Sequence, residues 1–177
     1  MSQVIRVAVA LFCALALSGC FKSDYPLITV FNSVAPIPEG TYTYKDIDGK
    51  QKTAVITREL TVTKMITIDG NGNPKLAYLL MRDVGDNYYV VQDAENDYAL
   101  IQIKDGVIVE YDERNYCDDL EEASELEGTS LSDYGAESNG SDSNSVCKFT
   151  SFDGLVEAFQ ALDDLGSLDV EREYHRR

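Results

Sequence analysis

Cysteine is the residue type whose position in this chain first indicates chemistry, and Cys20 is the clearest case. It follows the apolar run VAVALFCALAL (Val7 to Leu17) and two small residues. A cysteine thiolate is a good nucleophile, and small neighbours leave an enzyme room to approach it. The run has eleven residues, which suits a signal peptide and is short of the roughly 20 that a helix needs to cross a bilayer. Together with the positive charge of Arg6, this pattern predicts that residues 1–19 are a signal peptide.

The four residues LSGC (Leu17 to Cys20) resemble the lipobox of bacterial lipoproteins, in which Leu and two small residues precede the cysteine. The resemblance implies that the Cys20 thiol receives diacylglycerol, that a peptidase cuts between Gly19 and Cys20, and that a fatty acid such as palmitate acylates the new amino terminus. Two or three acyl chains anchor a protein stably to a membrane. By the family's sorting rule, Phe21 in place of Asp favours the outer membrane, facing the periplasm.

Two other interpretations of this segment stay open. One is an ordinary secretory signal in which Cys20 is coincidental, and the other is a soluble core helix. The second fits poorly, because the stretch is apolar on every side and ends in small residues.

Cys117 and Cys147 are the two cysteines of the mature chain that would not carry lipid. In an exported, oxidising compartment such a pair is more often a disulfide than two thiols. A zinc site would need further ligands, and the single histidine, His175, is three residues from the end. We therefore predict a disulfide between Cys117 and Cys147, no metal site and no cofactor.

No pattern of residues identifies a reaction. The sequence has no GxSxG, and none of its 31 acidic residues is singled out as part of a pair. Asp69, Asn71 and Asn73 alternate as in a calcium loop, but Pro74 and Leu80 stand where an EF-hand needs Gly and Glu. A turn is the better interpretation of that segment, and the protein is predicted not to be an enzyme.

Three further features have both a functional and a plain structural interpretation. The acidic run CDDLEEASELE (Cys117 to Glu127) could face a basic partner or gather cations, or it could be a solvated, partly helical surface segment. The tyrosines of TYTY and NYYVV could line a pocket, or Tyr could simply be a good strand residue. Asn139 begins NGS, a glycosylation acceptor pattern that we attribute to loop composition.

The chain expected after cleavage is strongly acidic. The full sequence has 15 Lys and Arg against 31 Asp and Glu, a net charge of −16, and removing residues 1–19 deletes Arg6 alone and makes it −17. Such a charge repels phosphates, so nucleic-acid binding is not expected. It allows a basic protein partner, although its usual consequence is solubility. The roughly 158 remaining residues suit one domain.

Residues 41–112 read as successive short strands at roughly ten-residue spacing. Asp48-Gly49 and Asp105-Gly106 are hairpin signals. We therefore predict a mainly β fold, an antiparallel meander that forms a small barrel or half-barrel of about seven to eight strands. The predicted strands are TYTYKDI, KTAVITRE, LTVTKMITI, KLAYLLM, NYYVVQD, DYALIQI and GVIVEYD.

The third of these strands alternates, which predicts its two faces. Leu60, Val62, Ile66 and Ile68 share one face, and Thr61, Thr63 and Thr67 share the other. Threonine suits the solvated side of a strand, so the aliphatic face is expected to be buried.

The segments around the strands complete the expected domain of residues 41–170. Residues 20–40 hold three of the four prolines and are predicted to be a lipidated tether and entry segment, in which Leu27 to Phe31 could pack or pair. Residues 118–146 are acidic and of low complexity, which predicts a disordered loop pinned at its ends by the disulfide.

One helix is predicted over residues 152–165, followed by a polar tail at 171–177 with at most a short strand. Its apolar residues recur at helical spacing, and Ser151 and Gly166 are its cap residues. This apolar stripe should lie on the sheet or plug one end of the barrel.

These observations support two kinds of function. The first is a non-enzymatic, lipid-anchored envelope module with a structural or assembly role. The second is a binding protein, which either inhibits a basic envelope enzyme through its acidic loop or carries a small apolar ligand in the barrel. A barrel filled by side chains would favour the structural role, and an open pocket would favour ligand binding.

Overall fold

A computed structural model of the chain describes residues 21–46, 48–68, 72–111, 116–139 and 145–177. The predicted signal peptide and cleavage site, with Gly19 and Cys20, lie outside these residues. None of the helices within them combines the length and apolar character needed to span a membrane. The elements are β1 (Phe21–Lys22), β2 (Gly40–Lys45), β3 (Gln51–Glu59), β4 (Val62–Ile68), β5 (Pro74–Gly85), β6 (Tyr88–Gln92), β7 (Asp97–Lys104), β8 (Val107–Tyr111), α1 (Tyr116–Glu127), a 3-10 helix (Leu131–Tyr134), β9 (Ala136–Asn139), β10 (Val146–Phe149), α2 (Phe152–Leu165) and β11 (Val170–Arg176).

Eight of these strands close into an antiparallel barrel. Their order is β6-β5-β4-β3-β2-β11-β8-β7, and the pairing of β6 with β7 completes the ring. The predicted barrel is confirmed, and the seven strands expected between residues 41 and 112 correspond to β2 through β8. Strand β11 lies between β2 and β8. Residues 171–177, expected to be mainly a polar tail, therefore belong largely to the strand that completes the barrel.

Three short strands extend the sheet beyond the barrel from the first residues of β7, which do not pair with β8. Strand β1 pairs antiparallel with β7 and parallel with β10, and β10 pairs with β9. The residues from Phe21 onward are therefore not a free tether as predicted. Phe21 is fully buried, and its ring packs against those of Tyr116, Phe149 and Phe159. Burying this ring contributes about 2 kcal/mol or more, which explains why the segment is fixed to the domain.

Residues 27–31 do not form the short strand that their sequence allowed. Ile28 is buried, and its backbone N–H donates to Gln92 Oε1 at 2.7 Å. The next residues turn, with the Asn32 N–H donating to the Thr29 carbonyl at 3.1 Å. The side chain of Gln92 thus supplies the hydrogen bond that a strand partner would otherwise give.

The buried side chains form two separate hydrophobic clusters. One fills part of the barrel interior and includes Ile37, Tyr42, Ile56 and Met81. The other lies outside the barrel, where both α-helices cover the outward side chains of β6 and β7, such as Val90 and Leu100. Helix α2 therefore packs on the outer wall of the sheet, which is one of the two arrangements predicted for it, and it does not plug an end of the barrel.

The predicted boundaries of α2 are confirmed by its caps. The Ser151 side chain accepts a hydrogen bond from the Gly154 N–H at 3.1 Å, and Gly166 ends the helix at φ 72°. Gly154 also permits a close approach, because a Cβ at this position would lie 1.9 Å from the Tyr134 carbonyl oxygen. The 3-10 helix can therefore contact α2 directly through its backbone.

The acidic segment at 118–146 is not the disordered loop that its composition predicted. It contains α1, the 3-10 helix and β9, and residues 140–144 lie outside the described part of the chain. Tyr116, Leu120 and Ala123 recur at helical spacing and are buried against the outer cluster. Burial of this apolar stripe offsets the conformational entropy that the segment loses when it becomes ordered, and average composition does not reveal such a stripe. The carboxylates of Asp118 and Asp119 in the first turn also suit the helix dipole.

The two faces of β4 are oriented opposite to the prediction: its threonine face is buried and its aliphatic face lies outside the barrel. Thr63 and Thr67 are buried and point into the barrel with Met65, whereas Ile68 is 53% exposed on the outside. Outside the barrel, Ile66 faces Val55 on β3 and Leu76 on β5. The helices cover the other side of the barrel, so this wall presents aliphatic side chains to solvent.

The predicted disulfide between Cys117 and Cys147 is present, with Cα atoms 5.3 Å apart. It connects α1 to β10 within the outer cluster, where both cysteines are fully buried. The sequence predicts a bridge at the two ends of a disordered loop, whereas the bridge observed joins an ordered helix to the sheet extension.

We predict that replacing both cysteines (Cys117→Ala with Cys147→Ala) lowers the free energy of unfolding by roughly 3–4 kcal/mol, because the bridge closes a loop of about 30 residues. Urea unfolding followed by circular dichroism measures this loss. Non-reducing peptide mapping of the exported wild type should give one linked peptide pair. Free thiols in that material, or an unchanged unfolding midpoint for the double variant, would contradict the assignment.

Candidate binding site

The barrel interior contains a cavity of about 330 Å³. Its polar lining residues lie at one end of the barrel, which we call the mouth. Lys75 and Arg172 are near the starts of β5 and β11, Glu110 is near the end of β8, and Asp93 directly follows β6. Ile37, which precedes β2, lines the opposite end. The walls between are apolar and are formed by Met65, Ala77, Leu79, Met81, Val91, Ala99, Ile101 and Ile108.

Three side chains on β8 and β11 form a hydrogen-bonded polar group in this cavity. Glu110 and Arg172 are cross-strand neighbours, and Tyr174 is two residues further along β11. The Tyr174 hydroxyl donates to Glu110 Oε2 at 2.7 Å, and Arg172 Nη1 lies 3.3 Å and 3.4 Å from the two carboxylate oxygens. We call these residues the Glu110 triad.

The charges within the Glu110 triad are fixed by burial and by mutual contact. Burial of Tyr174 and the neighbouring Glu110 raise the pKa of the phenol well above its usual value, so Tyr174 stays a donor. Burial opposes the charge of Arg172, but Glu110, Tyr174 and Glu171 together raise its pKa. Arg172 Nη2 also donates to Glu171 Oε1 at 2.5 Å. One guanidinium is thus shared by two carboxylates.

An irregularity in β11 explains how Glu171 reaches the same guanidinium. The pairing of β11 with β8 shifts register between Val170 and Arg172, so that Glu171 is an extra residue. A bulge of this kind re-aims a side chain. The Glu171 side chain is only 15% exposed and lies beside Arg172.

A buried hydroxyl lies close to the cavity on β4. Thr63 is 1% exposed, and its Oγ1 has no hydrogen-bond partner among the residues that the structure describes. Its cross-strand neighbour Leu79 lines the cavity. The inward-facing threonines therefore make this part of the interior less apolar than the predicted aliphatic face would have been.

The tyrosines singled out in the sequence contribute to this interior only in part. Tyr42 and Tyr44 point into the barrel, and the Tyr44 ring lies 4.8 Å from that of Tyr174. Tyr88 is outside, beside Tyr111. Tyr174 is the tyrosine that lines the cavity, although its segment is predicted from the sequence to be a polar tail.

The Glu110 triad itself was not identified from the sequence. Its only signal there is the alternation Arg172, Tyr174 in the last segment, which is consistent with a half-buried strand. The pairing of Glu110 with Arg172 joins residues 62 positions apart and depends on the closure of the barrel. Of the predicted site residues, Cys117 and Cys147 are brought together, and Gly19 and Cys20 are outside the described chain.

A metal site is not formed by the residues that the structure describes, since it groups no three His, Cys, Asp or Glu side chains suitably. His175 is exposed and lies 3.4 Å from Glu173. A second, wider groove of about 550 Å³ runs beside it along β2 and β11 and is lined mainly by polar surface residues.

The fold and the cavity define a small, acidic, eight-stranded β-barrel protein with an internal cavity. Comparisons with protein-family models, curated proteins and solved structures found no match to this chain.

We predict that Arg172→Met lowers the free energy of unfolding by about 2–4 kcal/mol at neutral pH, because it leaves two largely buried carboxylates without their shared cation. Urea unfolding at neutral pH measures this loss.

Lys50→Met is the matched control, because it breaks an exposed ion pair with Asp48 and should change stability by less than about 1 kcal/mol. An Arg172→Met variant as stable as the wild type would show that the triad contributes nothing to the fold.

Proposed function

We propose that this protein is a lipid-anchored protein of the cell envelope that binds a small, mainly apolar ligand inside its barrel. The observation that carries this proposal is the cavity of about 330 Å³, which has apolar walls and includes the Glu110 triad among its polar lining residues. Of the two kinds of function considered from the sequence, an open cavity supports the binding protein over the structural or assembly module.

The size of the cavity limits the ligand. An eight-stranded barrel is just wide enough either to be filled by side chains or to hold one small molecule. About 330 Å³ is at the lower end of the range for ligand pockets. Contact with the apolar walls stabilises such a ligand by about 25 cal/mol for each Å² buried, and the Glu110 triad can orient it.

The lining residues support binding without a reaction. Among them are no Ser, Cys or His that could act as a nucleophile activated by a neighbouring base. The carboxylate of Glu110 is already held by a guanidinium and a phenol. These contacts suit a role in recognition, and we propose no enzymatic activity.

A basic protein partner is the second candidate, and α1 is the observation that favours it. Asp118, Glu121, Glu122 and Glu125 are exposed on one side of this helix. Its buried residues Tyr116, Leu120 and Ala123 face the outer cluster. Such a surface attracts positive charge and raises association rates. The carboxylates of α1 form an ordered surface, whereas the sequence predicts a disordered loop for this segment.

The membrane anchor is proposed from the residues LSGC, which lie outside the described chain. Phe21 is fully buried, so the position directly after Cys20 is fixed to the domain. A lipid on Cys20 would then sit against the domain with no spacer.

We predict that the purified full chain binds N-phenyl-1-naphthylamine, a neutral apolar probe, with increased fluorescence. Ala77→Phe should reduce this binding strongly, because Ala77 lines the cavity and a phenyl ring would fill it. Leu76→Phe is the matched control, since Leu76 is the preceding residue of β5 and is 51% exposed outside the barrel. Equal binding by both variants and the wild type would place the probe elsewhere and sink the cavity proposal.

We predict that the full chain incorporates labelled palmitate and is recovered with membranes, and that Cys20→Ala abolishes the label. The chemical reason is that Cys20 supplies the thiol that the lipobox resemblance requires. Cys13→Ala, within the same signal segment, should keep the label. A wild type that takes no label, or a Cys20→Ala variant labelled like the wild type, would rule out the anchor.

A further inference from the structure

The arrangement of the Glu110 triad determines which ligand head group the cavity can accept. Arg172 and Tyr174 form a pair of hydrogen-bond donors on one strand, facing the cavity. Such a pair is well suited to hold a carboxylate. In this structure it holds a carboxylate of the protein itself, because Glu110 Oε2 accepts from Tyr174 at 2.7 Å and from Arg172 at 3.3 Å.

The charge balance around Arg172 opposes a second anion. Glu110 and Glu171 both contact its guanidinium, so these three side chains together carry one net negative charge. Asp93 also lines the cavity, opposite in charge to Lys75. An anionic head group entering beside Glu110 would meet like charge at short range in a low-dielectric interior, which weakens its binding.

Glu110 still has capacity to accept a hydrogen bond. Its Oε1 is contacted by Arg172 Nη1 at 3.4 Å, which is a long hydrogen bond. A carboxylate can accept several hydrogen bonds. The group that best complements it is therefore a donor, such as a hydroxyl or an ammonium.

From this geometry we infer that Glu110 is a specificity-determining residue that makes the cavity select amphiphiles with a hydrogen-bond-donating head, an alcohol or an amine, and reject carboxylates. It does so by occupying the Arg172–Tyr174 donor pair that an anionic ligand would need. This inference rests on the proposed ligand-binding function and specifies its ligand class.

The test uses three probes with the same apolar chain and different heads: octan-1-ol, octylamine and octanoate. Each competes with N-phenyl-1-naphthylamine for the full chain at neutral pH. The alcohol and the amine should displace the probe, and octanoate should bind at least about tenfold more weakly, as expected for uncompensated like charge.

Changing Glu110 should alter this order. Glu110→Gln removes the charge while keeping the shape, and Glu110→Ala also frees the donor pair, so octanoate should bind both variants more tightly than the wild type. Glu173→Gln is the matched control, because it removes the same charge from β11 at a side chain that is 54% exposed. It should retain the wild-type order.

The outcomes separate this inference from the function on which it rests. If octanol and octanoate compete equally with the probe in the wild type, or if neither Glu110 variant gains affinity for octanoate, the head-group selection is wrong while ligand binding stands. If the probe itself does not bind in the cavity, the proposed function fails and the inference fails with it. Circular dichroism shows that each variant is folded.

Discussion

The insertion of β11 between β2 and β8 is the interaction on which the barrel and its cavity depend. Without it, β2 and β8 would each present an open edge, which favours aggregation. Its register sets Tyr174 opposite Ile108 and Arg172 opposite Glu110, so the strand that closes the barrel also completes the polar group inside it. The two helices lie outside the barrel, where they cover β6 and β7.

The sequence predicted the elements that depend on local patterns. Turns rich in Asp, Asn and Gly separate the strands, and Leu60 is the one non-glycine residue other than Asp or Asn described with a positive φ. The faces of β4 were predicted wrongly because hydrophobic alternation shows that two faces differ without showing which is inside. Here the inner face borders a partly polar cavity and the outer face is left bare by the helices, so Thr63 is buried and Ile68 is exposed. That outcome depends on the whole barrel.

The order of the acidic segment and the binding site were missed for different physical reasons. Average composition of residues 118–146 concealed a stripe formed by Leu120 and Ala123, which gains enough burial against α2 to order α1 despite its charge. The site instead joins Glu110 to residues of the last strand. The pairing of two strands that are distant in the chain leaves no local sequence pattern near Glu110 or near Arg172. The disulfide was predictable because two cysteines in a chain predicted to be exported have few alternatives, although the elements that it connects were not.

The two proposals, a lipid anchor at Cys20 and a ligand in the barrel, are geometrically compatible. Strand β1 pairs with the first residues of β7, where Lys22 lies 2.7 Å from Asp97, and the Ser23 N–H donates to the Asn96 carbonyl. These contacts fix the start of the domain beside the turn that follows β6, and Asp93 of that turn lines the cavity mouth. A lipid attached one residue before Phe21 would therefore hold the mouth near the membrane surface. Amphiphiles with an alcohol or amine head concentrate at such a surface, so the ligand class that Glu110 favours is one that the proposed anchor would bring close.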